Sequence, residues 1–352
     1  MYPALTVLQA LKNDADPVLW VGGNTGADEA LISRYNIPFK GIPAAGVHGV
    51  GLKKMPGNLV QLTKGYFAAR RILREFRPDA ILYTGGYVAA PMAVAARRYK
   101  SLVYIPDIEP GLALKFIQKV AKIIAVTVEE TLQYTPREKR VVITGYPVRE
   151  SVKCWTKETA KEHFALDDEL PVVLFMGGSK GARSINRAVL DNLESLAEKA
   201  QILHISGETD WDTVSNAPLS LPEELRSNYH PFPYLHEDIG AALAAADLVI
   251  SRSGASTLGE YPHFGLPAIL VPYPFAWKYQ TQNAEFLKSN GAALIIENEA
   301  LDRELIPMVN ALLNDPQKLR EMSAAMKALD KPNAAGRIAD LLLQLAGGQK
   351  RT

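Results

Sequence analysis

Short apolar runs alternate along the chain with longer stretches of amphipathic, helical pattern. Continuous apolar runs of four or five residues, without period-2 alternation, are typical of strands in a parallel sheet that helices cover on both faces. Ten segments have this character: residues 18–21, 80–83, 102–105, 123–126, 141–144, 172–176, 201–205, 248–251, 268–271 and 293–296. Helical patterns occupy residues 59–76, 182–197, 239–246, 280–288, 301–313, 316–329 and 332–345. This alternation predicts an α/β fold built from βαβ units.

Two domains are expected, because 352 residues exceed what one ordinary core holds. The first series of strands stops at residues 144–150, where Gly145 and Pro147 break regular structure. We therefore predict one domain over residues 1–147, a second over 148–330, and a final helical segment, 331–352, that packs back across the domains. A helix is predicted from Pro3 onward, where a doubly wound domain normally opens with a strand, so we expect the first strand and its loop to be missing.

The net charge of +1 conceals an asymmetry between the two halves of the chain. Residues 1–150 contain 20 basic and 12 acidic residues, whereas residues 151–352 contain 19 basic and 26 acidic residues. A basic first half points to an anionic partner, and the alternative is two ordinary solvated surfaces. A hydrophobic content of 47% excludes disordered and collagen-like classes. The single cysteine, Cys154, favours a reducing cytoplasm, and we expect neither a signal peptide nor a membrane span.

Residues 52–77 form a basic amphipathic stretch with seven Lys and Arg and one acidic residue. Its cations are interleaved with leucine, isoleucine and aromatic side chains. This profile is typical of a helix at an anionic membrane surface. The alternative is a helix that faces the core and carries its basic residues on the solvent side. The cations that we expect at a membrane surface are Lys53, Lys54, Lys64, Arg70, Arg71 and Arg74.

Glycine-rich turns follow four of the predicted strands, at residues 21–23, 84–87, 176–183 and 251–257. Glycines at such turns let backbone N–H groups approach an anion, and the following helix N-terminus adds about half a positive charge. None matches the G-x-G-x-x-G or P-loop patterns, which argues against dinucleotide binding and ATP hydrolysis. A single turn of this kind is often only a tight connection, but four of them together favour a phosphate or sugar-phosphate ligand.

The segment 248–260 carries the most chemical information. A strand leads into Arg252 and Gly254, then into two hydroxyl residues and a helix that bears Glu260. A carboxylate in this position is placed to accept hydrogen bonds from ribose hydroxyls, and the alternative is a solvated helix charge. The six histidines lack metal-binding spacing, and Asp14-Ala15-Asp16 lies in a predicted turn, so no metal site is expected. No serine–histidine triad pattern is present, and we expect no nucleic-acid partner.

Several longer motifs occur in one order along nearly the whole chain. They are TGGYVAAP (84–91), GYPVR (145–149), GGSKGAR (177–183), SRSGASTLGE (251–260), GLPAILVPY (265–273) and QTQNA (280–284). In this order and spacing they resemble the bacterial peptidoglycan N-acetylglucosaminyltransferases. These inverting hexosyltransferases move N-acetylglucosamine from UDP-N-acetylglucosamine to undecaprenyl-pyrophosphoryl-N-acetylmuramyl-pentapeptide, which turns lipid I into lipid II.

The resemblance implies a glycosyltransferase B fold, an α/β architecture of two Rossmann-like domains with a cleft between them. The second domain would bind the UDP-sugar donor and the first the lipid acceptor, without metal or cofactor. The donor-binding residues implied are Arg149, Ser179, Leu235, Arg252, Gly254, Ala255, Ser256, Thr257, Leu258, Gly259, Glu260 and Gln280. The residues implied near the acceptor or the sugar are Gly85, Gly86, Tyr87 and Asp107. No catalytic base is assigned.

The sequence departs from the family pattern at three points. The first glycine loop of the family would precede Tyr2, its His-Glu-Gln-Asn segment aligns with residues 104–107, and Tyr279-Gln280 stands where two glutamines are common. Two alternatives therefore stay open: transfer to another lipid acceptor such as a diacylglycerol, or an inactive UDP-sugar-binding protein. The main interpretation places the protein peripherally on the cytoplasmic side of the cell membrane, in cell wall biogenesis and hence in cell shape and division.

Overall fold

The computed structural model of the protein describes residues 1–11, 14–24, 27–45, 55–178, 181–274 and 279–347. Backbone contacts divide the chain into two compact units. The first unit comprises residues 1–147 and 333–352, and the second unit comprises residues 148–332. The second unit is therefore continuous in sequence, whereas the first is closed by the last segment of the chain.

The first unit contains six helices and six strands within the described residues. The helices are α1 (Tyr2–Leu11), α2 (Ala27–Ser33), α3 (Met55–Phe76), α4 (Ala89–Ala95), α5 (Leu112–Val120) and, from the C-terminal segment, α16 (Ala334–Ala346). The strands are β1 (Trp20–Gly23), β2 (Phe39–Ile42), β3 (Ile81–Tyr83), β4 (Ser101–Ile105), β5 (Ile123–Val126) and β6 (Arg140–Ile143). A 3-10 helix spans Glu129–Tyr134.

The strands of the first unit are all parallel and form two groups. β1 pairs with β2, and β3, β4, β5 and β6 form a four-stranded sheet in that order, with no ladder between the groups in the described part of the chain. One face packs on α3, α4 and α5 through residues such as Ile72, Met92 and Ile117. The other face packs on α1 and α16 through residues that include Val7 and Ile338. Helices on both faces explain why these strands are continuously apolar.

The second unit is a six-stranded parallel sheet with the strand order β12-β11-β10-β7-β8-β9. Its strands are β7 (Val172–Met176), β8 (Gln201–Ile205), β9 (Tyr229–Phe232), β10 (Leu248–Ser251), β11 (Ala268–Leu270) and β12 (Ala293–Ile295). Its helices are α6 (Glu150–Lys153), α7 (Lys157–His163), α8 (Arg183–Leu190), α9 (Leu193–Ala197), α10 (Trp211–Asn216), α11 (Ile239–Ala245), α12 (Glu260–Phe264), α13 (Tyr279–Ser289), α14 (Leu301–Leu313) and α15 (Pro316–Ala328). Short 3-10 helices include Ala255–Leu258 and Asn298–Ala300.

In each unit, a polar contact joins segments that lie near the places where the chain passes from one unit to the other. In the first unit, the Arg337 side chain on α16 donates through Nε and Nη2 to the Thr144 carbonyl, at 2.9 and 2.5 Å, just after β6. In the second unit, the backbone of Lys153 accepts a hydrogen bond from the His263 ring. The same ring lies 3.9 Å from the Asp330 carboxylate. In each unit, one polar contact therefore joins segments close to where the chain enters and leaves that unit.

The sequence predictions match most of these elements. Each of the ten predicted strands overlaps an observed strand, and the final helix begins at Ala334. Two strands, β2 and β9, were not predicted, because a Gly or a Pro interrupts the apolar run of each. Both lie at the edge of their group, where a proline in a strand is tolerated. The helix predicted over residues 182–197 is two helices, because the chain turns at Asp191 and Asn192.

Gly65 in the middle of α3 supplies a stability test. A Cβ there would lie 2.1 Å from the Pro43 carbonyl oxygen, so α3 approaches this segment closely only because residue 65 is glycine. We expect Gly65→Ala to lower the free energy of unfolding by about 1–3 kcal/mol, the cost of overpacking, despite alanine's better helix propensity. Gly57, in the same helix, meets nothing within 4 Å. Gly57→Ala should therefore be neutral or stabilise by up to about 1 kcal/mol in urea denaturation, and equal losses in both variants would contradict the packing.

Candidate functional site

The carboxyl edge of the six-stranded sheet collects most of the residues predicted to bind phosphate. β11, β10 and β7 are parallel neighbours, so the segments that follow them emerge side by side. In open α/β sheets, ligands bind at this edge. The predicted segments 177–183 and 252–260 begin directly after β7 and β10, and the structure thus brings them together within the second unit.

The loop after β7 is shaped by glycines. A Cβ on Gly177 would lie 2.4 Å from the Ala182 nitrogen, and a Cβ on Gly181 would lie 2.2 Å from the Ser206 carbonyl oxygen. Gly181 also has a φ of +78° and donates its N–H to the Gly178 carbonyl at 2.8 Å. Only glycine fits these positions, and the loop ends at the first turn of α8. The predicted donor residue Ser179 lies outside the described residues.

Arg252, immediately after β10, is held by acceptors of the protein itself. Its Nη1 donates to the Val271 carbonyl at 3.0 Å, and its Nη2 donates to Ser184 Oγ at 2.7 Å and to Asn298 Oδ1 at 2.9 Å. The guanidinium also stacks over the Tyr273 ring at 5.3 Å. Burial lowers the pKa of this guanidinium from its usual value. Through these contacts the guanidinium joins the loops after β7, β10, β11 and β12, and the role of Arg252 in donor binding stays a prediction.

The turn that follows Arg252 leaves open space at Gly254. A Cβ at this position would meet no protein atom within 4 Å, and φ is −68°. Neither packing nor backbone conformation therefore requires glycine there, whereas close approach of a ligand would. Thr257 donates its hydroxyl and its N–H to the Gly254 carbonyl, at 2.7 and 3.0 Å, so its side chain closes the turn.

The 3-10 helix Ala255–Leu258 begins at this opening. The N–H groups of Ala255 and Ser256, its first two residues, have no carbonyl partner within a helical turn. Such groups are suited to an anion. Leu258 and Gly259 are buried beneath this turn. Of the predicted residues in this segment, Ala255 and Ser256 therefore offer donors, while Thr257, Leu258 and Gly259 shape the backbone.

Glu260, the first residue of α12, is half-buried and has two favourable neighbours. Burial raises the pKa of its carboxyl, while the positive charge of Arg149 and a hydrogen bond from the Ser256 side chain oppose that rise. Arg149 precedes α6, in the same unit. The structure thus brings the predicted residues Arg149, Ser256 and Glu260 together, and the carboxylate is not the solvated helix charge of the alternative interpretation.

Two other predicted residues lie on neighbouring segments. Gln280, at the start of α13, accepts a hydrogen bond from the Tyr273 N–H at its Oε1, at 2.9 Å, which directs its amide toward the segment after β11. Its backbone carbonyl accepts from the Ser253 hydroxyl at 2.8 Å, so α13 is fixed to the turn after β10. Leu235 is buried in the segment after β9. The residues on either side of it, Tyr234 and His236, pack with their ring centroids 4.6 Å apart.

The remaining predicted residues lie together in the first unit, where β3 and β4 end. Gly85 and Gly86 have φ values of +105° and +84°, and Tyr87 is 63% exposed. Asp107 follows β4, the parallel neighbour of β3, and is half-buried. Tyr104, which stands in the altered family segment, is fully buried and bonds through its hydroxyl to Thr127 Oγ1 at 2.8 Å, so its role is structural.

The sequence patterns did not identify the polar residues whose hydrogen bonds fix the loops at the carboxyl edge. Ser184, Asn186 and Asn298 each bond to a residue at the carboxyl edge or to a loop beside it. Ser184 and Asn186 follow the GGSKGAR motif directly, which was the one signal available for them. Asn298 has no motif of its own. In the described parts of the chain, no group of three His, Cys, Asp or Glu residues is arranged to hold a metal ion.

Comparisons with known proteins agree with this geometry. The model of the glycosyltransferase family 28 N-terminal domain matches residues 1–126, and that of the C-terminal domain matches residues 172–338. A UDP-N-acetylglucosamine–N-acetylmuramyl-(pentapeptide) pyrophosphoryl-undecaprenol N-acetylglucosamine transferase of Roseiflexus sp. (strain RS-1) is 39% identical over 92% of this chain and 82% of its own. A protein of the same name from Desulforudis audaxviator is 39% identical over 99% of this chain and 95% of its own.

Solved structures show the same architecture. The crystal structure of MurG from Acinetobacter baumannii superposes with a TM-score of 0.77 at 28% identity, covering 97% of this chain and 95% of that one. A UDP-GlcNAc 2-epimerase from Neisseria meningitidis superposes with a TM-score of 0.66 at 14% identity, covering 97% and 96%, and shows the fold alone. The predicted fold class, two Rossmann-like α/β domains of the glycosyltransferase B type, is confirmed. With both domain models matched in order and relatives near 40% identity over almost its whole length, the chain belongs to glycosyltransferase family 28.

Proposed function

We propose that this protein transfers N-acetylglucosamine from UDP-N-acetylglucosamine to undecaprenyl-pyrophosphoryl-N-acetylmuramyl-pentapeptide, the step from lipid I to lipid II in peptidoglycan synthesis. The observation that carries the proposal is the open turn at Gly254 beside the half-buried Glu260 carboxylate, at the carboxyl edge of the second unit. The relatives at 30–39% identity support the substrate pair, since all are named for it. Their agreement favours this acceptor over the diacylglycerol alternative.

The second unit would hold the UDP-sugar. The N–H groups that open the 3-10 helix Ala255–Leu258 would donate to the diphosphate, and Glu260 would accept hydrogen bonds from the ribose hydroxyls. The backbone beside Leu235 would contact the uracil, and Gln280, oriented through Tyr273, would contact the sugar hydroxyls. In this assignment Arg252 acts by positioning the loops.

The reaction inverts the anomeric carbon in one displacement. The acceptor hydroxyl gives its proton to a general base while its oxygen forms a bond to that carbon. The bond from the carbon to the β-phosphate oxygen breaks at the same time, and its electron pair leaves with UDP. Negative charge that develops on the diphosphate is stabilised by fixed N–H donors at the helix starts. The first unit would hold the acceptor, with Gly85, Gly86, Tyr87 and Asp107 at the ends of β3 and β4 nearest to it.

The exposed surface of α3, α4 and α5 fits an anionic membrane. Val60, Lys64, Phe67 and Arg71 follow one another at the spacing of a single helix face, and all four are exposed. Residues on the adjacent helices add further exposed apolar area, namely Val94, Leu112 and Phe116. This arrangement favours the membrane interpretation of the basic stretch over the core-facing one, whose exposed side would be polar. Lys53 and Lys54 lie outside the described residues.

A peripheral position on the cytoplasmic side follows from this proposal. No helix among the described residues is both long and apolar enough to cross a membrane. Because the acceptor carries an undecaprenyl chain, an enzyme that works at the bilayer surface meets it without extracting it. Its product would feed cell wall growth, and with it cell shape and division.

The first prediction concerns Glu260. We expect Glu260→Gln to weaken UDP binding by roughly 10- to 100-fold, the effect of losing hydrogen bonds to a charged group of about 1.5–3 kcal/mol. Calorimetric titration with UDP measures this, and Glu285→Gln, an exposed change on α13, serves as the control. Unchanged affinity in a folded Glu260→Gln protein would exclude the ribose contact.

The pH dependence of stability tests the same residue. Burial raises the folded-state pKa of Glu260 above its unfolded value, so the ionised carboxylate costs stability at neutral pH. That cost disappears as the pH falls through the raised pKa toward the unfolded value. Glu260→Gln should therefore have a Tm at pH 7 equal to or above that of the wild type, with the difference vanishing near pH 4. A lower Tm at pH 7 would contradict the assigned cause.

The second prediction concerns Arg252. Lysine cannot reach the carbonyl, hydroxyl and amide acceptors that the guanidinium joins, so Arg252→Lys should weaken UDP binding about as strongly as Arg252→Ala, by about tenfold or more. Because the residue acts by positioning, the salt dependence of UDP affinity should be the same in wild type and variants. A lysine variant near wild type, or a flatter salt dependence in both variants, would show direct contact with the diphosphate instead.

The third prediction concerns the membrane surface. Leu59→Ser with Phe67→Ser should lower binding to vesicles containing anionic lipid by about tenfold, because two side chains that are 63% and 62% exposed no longer insert. Leu219, 72% exposed in the second unit, supplies the control variant Leu219→Ser. Equal binding of wild type to neutral and anionic vesicles, or an equal loss from Leu219→Ser, would remove the membrane role of α3.

A further inference from the structure

A buried chain of hydrogen bonds runs from β9 through β8 to the first turn of α8. Its centre is His204, which has no exposed surface. His204 Nδ1 lies 2.8 Å from the Tyr229 hydroxyl on β9, and His204 Nε2 lies 3.1 Å from Asn186 Oδ1 on α8. Both ring nitrogens are therefore in hydrogen bonds inside an otherwise apolar core.

The network fixes where the protons lie. The Asn186 amide nitrogen donates to the Ser206 carbonyl and to Asp210 Oδ2, both at 2.8 Å, so Asn186 Oδ1 is an acceptor. His204 must then carry its proton on Nε2 and accept from the Tyr229 hydroxyl at Nδ1. Burial lowers the pKa of His204 to about 4, which keeps the ring neutral at pH 7 and this proton order intact.

The groups to which Asn186 donates lie next to the glycine loop after β7. The Ser206 carbonyl is the atom against which Gly181 packs, since a Cβ on Gly181 would lie 2.2 Å from it. The Asp210 carboxylate also receives Arg183 Nε, at 3.4 Å, at the start of α8. Ser184 lies between Arg183 and Asn186 in this turn, and its hydroxyl accepts a hydrogen bond from Arg252. The Asn186 side-chain amide therefore fixes the first turn of α8 relative to the loop after β8, against which Gly181 packs.

We propose that His204 is a positioning residue of the donor site: through Asn186 it orients the first turn of α8 and the glycine loop that precedes it. His204 touches no substrate in this assignment. The proposal rests on the donor site described under the proposed function. Disruption of this chain of hydrogen bonds should affect donor binding and leave acceptor binding unchanged. The reason is that the chain leads to the second unit's carboxyl edge and to no residue assigned to the acceptor.

Two amide substitutions separate the two halves of the chain of hydrogen bonds. In His204→Gln the amide nitrogen reaches the position of Nε2, so it donates to Asn186 Oδ1 and loses the contact with Tyr229. In His204→Asn the shorter side chain reaches only the position of Nδ1, so it keeps Tyr229 and leaves Asn186 Oδ1 without its donor. Both variants bury one polar group without a partner and should lose similar stability.

Steady-state kinetics with the full chain, UDP-N-acetylglucosamine and a lipid I analogue test the proposal. We expect His204→Asn to raise the donor KM and the UDP dissociation constant by about tenfold, and His204→Gln to stay within about threefold of wild type. The acceptor KM should be unchanged in both. His230→Gln, a half-buried histidine on the adjacent strand, is the matched control and should change neither KM.

Equal donor KM values for the two amide variants, at equal folded fraction by circular dichroism, would overturn the proposal. If His204→Asn does not fold, Tyr229→Phe decides the matter, because it removes the other hydrogen bond and leaves Asn186 held. A Tyr229→Phe donor KM within threefold of wild type, with a lowered Tm, supports positioning through Asn186, whereas a tenfold rise overturns it. A wild-type protein that binds no UDP would instead count against the donor site itself.

Discussion

The half-buried guanidinium of Arg252 makes the interactions on which the arrangement of the carboxyl edge depends. Parallel strands place their carboxyl ends at one edge of the sheet, but strand pairing does not fix the positions of the loops that follow them. Arg252 contacts the backbone after β11, a hydroxyl at the start of α8 and an amide after β12, and it does so from the end of β10. Removal of the guanidinium would break the link between these loops, while Ser184 and Asn298 would still bond to each other.

The proposed donor site thus combines a rigid frame with a small open surface. Gly177 and Gly181 are required by neighbouring backbone, whereas Gly254 faces space that the protein leaves empty. Glu260 lies at the border of this space, where it is half-buried and has Arg149 and Ser256 beside it. A ligand that donates hydrogen bonds to this carboxylate would offset the cost of burying it. Affinity for the donor and stability of the empty protein are therefore opposed at this residue.

The sequence predicts the strands and the carboxyl-edge loops because both have local signals. Continuous apolar runs mark the central strands, and the glycine and serine motifs mark the turns after β7 and β10. The edge strands β2 and β9 lack such runs, since Gly41 and Pro231 interrupt them. The roles of Arg252 and Thr257 depended on partners far away in sequence or on the exact turn geometry, which no local pattern contains. The same holds for His204, whose partners lie 18 and 25 residues away.

The polar contacts near the chain ends of the two units have a consequence for the stability of each unit. Arg337 closes the first unit where the second leaves it, and His263 joins Lys153 and Asp330 near the two ends of the second unit. The second unit lies in sequence between two segments of the first unit. Each unit has its own polar contact near the ends of its segments. Neither contact uses a residue of the other unit, so the loss of one leaves the other in place.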